Sequence, residues 1–293
     1  MTQKKKQIHP TVRSLFVCAG LLIACSVAHA QVRQWSGGAG DGLWNSTGNW
    51  VGGNVPDSSS EDPEFDTASF SVPGDQTVAI NTPTTAKLFR IRTDNNIIIN
   101  GSSTLTFDNG GSGTIGFWKL SGGSGGNLTV NTDIDVITSR GVLLAGYSGS
   151  QITFNGNITR TSGDISDSTA SSQVTFNGSI SGSGRIYASH LRDDSVITMT
   201  AANTYTGFTT IQGGTLVMTN NATFGDGTGR VGIFGRSTLT SADAVLEINN
   251  LNSSSSTISN DYTFGGDGFS GAGVLRITGG DATFSGAGSA TYG

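Results

Sequence analysis

The sequence is short of the residues on which most side-chain chemistry depends. Its two cysteines, Cys18 and Cys25, lie in the first 25 residues, and it has three histidines in 293. Beyond residue 30 there is neither a disulfide nor a thiol nucleophile. The single remaining histidine, His190, cannot furnish a zinc ligand set. A Ser-His-Asp arrangement would have to use the same residue, and no GxSxG elbow accompanies it. Charged residues make up 13% of the chain, about half the usual share of roughly 25%. Glutamate occurs only at Glu61, Glu64 and Glu247, so the Glu/Lys pairs that support exposed helices are missing and helix is expected to be scarce. No uncharged apolar run reaches the roughly 20 residues that a membrane-spanning helix takes.

What is present begins with a leader. Lys4, Lys5, Lys6 and Arg13 precede the apolar stretch SLFVCAGLLIACSV, and Ala28-His29-Ala30 places small residues where a signal peptidase reads. Residues 1–30 are read as an export signal cleaved after Ala30. Leu22-Ile23-Ala24-Cys25 also resembles a lipobox, which would make Cys25 an acylated first residue. Cleavage removes four of the sixteen basic residues and no acid, leaving a chain more acidic than the net −5 of the whole. With no basic stripe to neutralise phosphates, nucleic acid is excluded as a partner.

Glycine, at 44 residues, punctuates a repeat. The segments 151-QITFNGNI-158 and 173-QVTFNGSI-180 are offset by 22 residues, and related fragments occur at 104-TLTFDNGG-111, 222-ATFGDG-227, 262-YTFGGDG-268 and 282-ATFSGAG-288. Each reads as a short strand of β-branched and aromatic residues followed by an Asn/Asp/Gly turn of positive φ. A fixed period near twenty residues is the signature of a solenoid, in which each coil covers the backbone and apolar edge of the one before. About twelve coils of roughly 22 residues would give a rod on the order of 55 Å. Period-2 alternation turns Ile211, Leu216 and Met218 inward, and the hydroxyls of Thr209, Thr210, Thr215 and Thr219 are placed to join neighbouring coils. The fold expected is therefore all-β, with parallel strands stacked coil on coil.

The stretch 203-NTYTGFTTIQGGTLVMTNNATFG-225 resembles the autotransporter-associated β-strand repeat, also called the passenger-associated transport repeat. The match is carried by Asn203, Tyr205, Gly207, Thr209, Ile211, Gly214, Leu216 and Met218. The block 34-QWSGGAGDGLWNSTGNWVGGNVP-56, followed by Asp66, Ala68 and Phe70, is similar to the start of large exported proteins of environmental bacteria that carry this repeat. The resemblance implies a right-handed parallel β-helix displayed outside the cell, often as the passenger of a type V secretion system. It divides the chain into a signal peptide (1–30), an N-terminal cap region (31–70) and β-helix repeats (71–293), with the family repeat at 196–225. No series of ten-residue alternating segments of the kind that builds a membrane barrel is present. The sequence thus reads as a fragment whose barrel or anchor lies further on, or as one served by a separate secretion partner.

Three groups of residues invite a chemical reading. Asp164, Asp167, Asp193 and Asp194, with Arg160, Arg185 or Arg192, have the make-up of a site that cleaves acidic polysaccharides; as solvated turns between coils they would do nothing of the kind. Trp35, Trp44 and Trp50 fall within sixteen residues, where they either stack on sugar rings or close the open end of the solenoid. The runs GGAGDGLW (37–44) and FGGDGFSGAG (264–273) resemble a calcium nonapeptide with the aspartate misplaced, and GSGTIG (111–116) is glycine background without a strand-to-helix context. The expected protein is an exported structural rod for display or adhesion, monomeric, without cofactor, facing an extracellular glycan or another surface partner. A carbohydrate-active enzyme on the same rod and a carbohydrate-binding module using the tryptophans are the alternatives.

Overall fold

The computed structural model describes residues 31–57, 61–66, 74–86, 88–92, 95–108, 115–119, 126–137, 142–145, 149, 151–161, 163–167, 173–188, 195–219, 222–234, 244–250, 255–265 and 274–291. The leader, Cys18 and Cys25 lie outside them. The described residues form strands and turns, with two short 3-10 turns at Thr47–Asn49 and Val51–Gly53 and no α-helix.

The protein is all-β, and its sheets are long and parallel. Among the described residues one sheet has eleven strands, a second nine, a third five and a fourth two. Within each sheet the strands follow chain order, because the chain visits the sheets in rotation. Thus Gln151–Phe154 belongs to the nine-stranded sheet, Ile158–Arg160 to the five-stranded one and Ile165–Asp167 to the eleven-stranded one, after which Gln173–Phe176 returns to the first of these. One visit to each sheet is called a circuit below.

Alternation fixes which side chains face in. In Gln151–Phe154 and in Gln173–Phe176 the second and fourth residues are buried and the others face water. Parallel register then stacks like on like. Val78, Ile99, Val130, Phe154, Phe176, Met199, Met218 and Ile248 form one continuous buried column, each the register partner of the next. The Phe154 and Phe176 rings lie 5.2 Å apart and 10° from parallel. Leu216 is in the adjacent column between Ile197 and Leu246, and Ile211 pairs with Ala188 on one side and Ile233 on the other. Ile211, Leu216 and Met218 therefore point inward as alternation requires.

Side-chain ladders hold the corners. The amide groups of Asn131, Asn155 and Asn177 each donate to the Asn one circuit earlier, Asn100, Asn131 and Asn155, at 2.5–2.7 Å. Thr200 continues the series by donating to the Asn177 oxygen at 3.1 Å. At a second corner Asp133 accepts the backbone N–H of Asn157, whose own side-chain oxygen accepts that of Ser179. Asp75, Asn96 and Asn127 repeat the device at a third corner.

Two expectations are corrected. The interval between successive strands of the eleven-stranded sheet is 21–23 residues only across Val142, Ile165, Ile186, Thr209 and Val231; it is 30 between Gln31 and Glu61 and 31 between Val231 and Tyr262. The additional residues lie between strands, and eleven strands at about 4.8 Å give roughly 48 Å. Nor does the FNG turn need positive φ: Gly156 and Gly178 are not among the positive-φ glycines. They are glycine because a Cβ on Gly156 would sit 2.1 Å from the carbonyl oxygen of Thr132, and one on Gly178 would sit 2.1 Å from that of Gly156. The backbone of one circuit rests there on the backbone of the last.

Candidate functional site

The five-stranded sheet ends at Ile180–Gly182. The position that its next strand would occupy is taken by 201–208, which contains the Asn-Thr-Tyr-Thr-Gly motif (203–207) and is not a strand. Backbone bonds from Thr204 to Ile180 and from Thr206 to Gly182 still tie it to the circuit before. The Asn203 side chain, 3% exposed, supplies the rest: its oxygen accepts the N–H of Ile180 at 2.8 Å, and its amide donates to the carbonyl of Thr223 on the following circuit at 2.9 Å. One amide thus bridges three levels where ladder bonds are missing. Gly207 passes so close to the circuit before that a Cβ would lie 1.9 Å from the carbonyl oxygen of Gly184.

Within this region lies a buried guanidinium. Arg160 follows Ile158 by two residues, so alternation places it in an inward column, between Val136 and Gly182. It is 1% exposed. Nη1 donates to the carbonyls of Gly163 and Arg185, and Nη2 to that of Gly184, at 3.0–3.2 Å; Nε has no partner among the described residues. The fully buried Tyr205 ring covers it, with the guanidinium carbon 5.6 Å from the ring centroid, a cation–π contact strengthened by the absence of water. The Tyr205 hydroxyl pairs with the Thr209 hydroxyl at 2.6 Å. Burial pushes the Arg160 pKa down to about 10, against the opposing influence of Tyr205 and Asp164. Burial likewise pushes Tyr205 up to about 12 despite its bond to Thr209 and the nearby cation. At neutral pH the pair is a cation under a neutral phenol, and neither group is poised to exchange a proton.

Arg160 was one of the cations grouped with a carboxylate site, and its packing corrects that assignment. It faces the core and bonds backbone carbonyls. Asp164 turns to Arg185 instead, accepting its backbone N–H at 2.8 Å and its guanidinium at 2.8 and 3.1 Å. Burial would raise the Asp164 carboxyl, but the hydrogen bonds and charge of Arg185, with a smaller contribution from Arg160, hold it below the ordinary value. The same ion pair raises Arg185. This is another corner ladder rather than a reactive pair. The Asp167 side chain, and Asp193, Asp194, Arg192 and His190, lie outside the described residues. Among those described, no three His, Cys, Asp or Glu side chains gather where a metal could be held.

Thr209 also differs from expectation: its hydroxyl joins Tyr205 four residues away in the same circuit rather than a neighbouring circuit.

The tryptophans close the N-terminal end. Trp35, Trp44 and Trp50 are 1–2% exposed, and Trp50 meets each of the others edge-on at 5.0 and 4.8 Å. Their indole N–H groups donate to Gln76, the Pro56 carbonyl and the Trp44 carbonyl respectively. Bonds from Trp44 to Ala79 and from Ala79 to Gly42 lay this segment along the free edge of the first strand of the nine-stranded sheet. The three indoles are buried against one another, which leaves no exposed face to stack on a sugar. Asp41, in the GGAGDGLW run, accepts from the Leu43 N–H and the Asn49 amide and so serves the turn. A void of about 10 Å³ lies among Phe107, Phe117, Phe154, Phe176 and their aliphatic neighbours, and such a lining offers a water molecule no hydrogen bond.

Compared with known proteins, the chain matches no family model, no curated protein and no solved structure.

Proposed function

We propose that the chain is an exported right-handed parallel β-helix that acts as a rigid structural module, displaying or spacing surface at the cell exterior in the manner of an autotransporter passenger. The observation that carries this reading is the return of the chain to each parallel sheet one strand further on, in chain order, through three sheets up to Ile180–Gly182 and through the two longer ones beyond it. A chain that returns to each sheet one strand further on winds about a common axis, and parallel crossovers of this kind are right-handed in nearly all cases. Support comes from the continuous apolar column, the amide ladders and the tryptophan-closed end. The basic, apolar and small-residue regions of residues 1–30 support export, and the repeat at 196–225 supports the passenger-like role.

The reading makes a test of register. In protein with Cys18 and Cys25 replaced by Ser, Gln151→Cys and Gln173→Cys, which are exposed register partners, oxidise to an intramolecular disulfide. Gln151→Cys with Val196→Cys, two strands apart, does not. Free-thiol titration reads the difference, and failure of the first pair to close refutes the stacked winding. With its own leader intact, the exported chain begins at Gln31 on N-terminal sequencing.

A further inference from the structure

The outer face of the eleven-stranded sheet carries an exposed aromatic and cationic patch. Phe208 precedes Thr209–Ile211 and is 54% exposed. Carrying the register of the flanking pairs back one residue sets it between Arg185 on one strand and Arg230 on the other, and backbone bonds from Ile186 to Phe208 and from Thr209 to Arg230 hold that alignment. All three point outward, since Ile186, Thr209 and Val231 beside them are buried. Phe234, two residues beyond Gly232 on the strand Val231–Phe234, is 37% exposed, and its ring lies over Gly232, where a Cβ would approach it to 2.4 Å. Between the two rings is the outward Thr210, register partner of Gly232, with Tyr187 beside it donating to the side-chain Oε1 of Gln212 at 2.5 Å.

Exposed rings on a flat sheet offer faces to the apolar side of sugar rings, and neighbouring amide and hydroxyl groups offer hydrogen bonds to sugar hydroxyls. The charge pattern narrows the ligand. Arg230 is exposed and makes no side-chain bond or ion pair with a described residue. Arg185 is 55% exposed even while paired with Asp164 on its far side. Asp261, on the other side of Arg230, has its carboxylate on the N–H of Ala287. Phe208 is thus flanked by two cations, each about one strand spacing of 4.8 Å away, on a protein whose overall charge is negative.

We infer that this face binds an extended glycan bearing carboxylates, with Phe208 and Phe234 stacking on sugar rings and Arg230 pairing with a uronate. The inference deepens the extracellular role proposed above and rests on the same strand register. Titration calorimetry with hexagalacturonate on the whole protein tests it, with cellohexaose as the neutral probe. Hexagalacturonate binds, Phe208→Ala and Arg230→Gln each weaken it at least tenfold, and Thr153→Ala, on a different sheet, leaves it unchanged. Cellohexaose binds at least tenfold more weakly, and added salt weakens the wild type more than Arg230→Gln. No binding of hexagalacturonate, equal binding of cellohexaose, or indifference to both substitutions overturns the inference. Both substituted side chains are exposed, so unchanged circular dichroism identifies a lost site rather than a lost fold. If the Gln151→Cys/Gln173→Cys disulfide forms while binding is absent, the winding stands and the glycan site falls; if the disulfide also fails, the register common to both is wrong.

Discussion

Arg160 shows what a single residue contributes at a break in the scaffold. Its guanidinium donates to three carbonyls, those of Gly163, Gly184 and Arg185, the last of which also accepts the Ile165 N–H, near the level where the five-stranded sheet stops. Charge is costly in such a place, as the lowered pKa of about 10 records, but removing the side chain is worse. Arg160→Ala takes the side-chain donor from the carbonyls of Gly163 and Gly184, leaves that of Arg185 with the Ile165 N–H alone, and opens a cavity beneath Tyr205, so a loss of about 3 kcal/mol is expected. Arg160→Met keeps most of the volume and should lose less, because deleting a desolvated charge offsets part of the orphaned bonding. Urea midpoints of the two variants at constant m-value check the order. Part of this was legible, since Arg160 stands two residues from Ile158 in QITFNGNITR and alternation turns both the same way. What could not be read was the company it keeps, because Tyr205 and Gly184 arrive from later circuits.

At the scale of the element, the strands here are three to six residues long and would not persist alone. Their corners carry much of the definition. The Asn100–Asn131–Asn155–Asn177 ladder runs on the exposed side of a turn, and each interior member both donates and accepts. Asn155→Ala breaks two of these bonds and is expected to cost about 1 kcal/mol, at the low end for two bonds because water competes. The double substitution Asn155→Ala, Asn177→Ala should cost less than the sum of the singles, since they share a bond; thermal or chemical denaturation of the three variants measures this. The sequence announced Asn155 and Asn177 as turn formers through the twin TFNG fragments. It did not announce that they hydrogen-bond each other, nor that the glycine after each is set by close backbone approach, because both depend on what lies one circuit below.

For the molecule as a whole, the corner carboxylates make acid the sensitive direction. Asp41, Asp75, Asp164 and Asp226 are all held below the ordinary value of 3.8: Asp41 foremost by the backbone N–H of Leu43, Asp75 by the Asn96 side chain, Asp226 by the Thr228 hydroxyl, and Asp164 by Arg185, which outweighs an opposing burial effect. A carboxyl depressed on folding contributes stability that is complete above its unfolded value and is lost as pH falls through the folded one. The melting temperature is therefore expected to be insensitive to these groups above about pH 5 and to fall below about 3.8, with a shallower fall in Asp164→Asn. Scanning calorimetry between pH 2 and 7 gives the comparison.

Composition, alternation and the 22-residue echo determined, without coordinates, that this chain is all-β, that its aliphatic residues face inward in columns, and that its turns are built on Asn, Asp and Gly. Those are properties of a few neighbouring residues, governed by sterics and side-chain period. Only the tertiary structure decided that Arg160 is a core residue under Tyr205, that the tryptophans close an end instead of presenting faces, and that Phe208 stands between Arg185 and Arg230. Each of these is a contact between residues that parallel stacking brings within one strand spacing although 20 or more positions separate most of them in the chain, a distance over which local pattern carries no information about who meets whom.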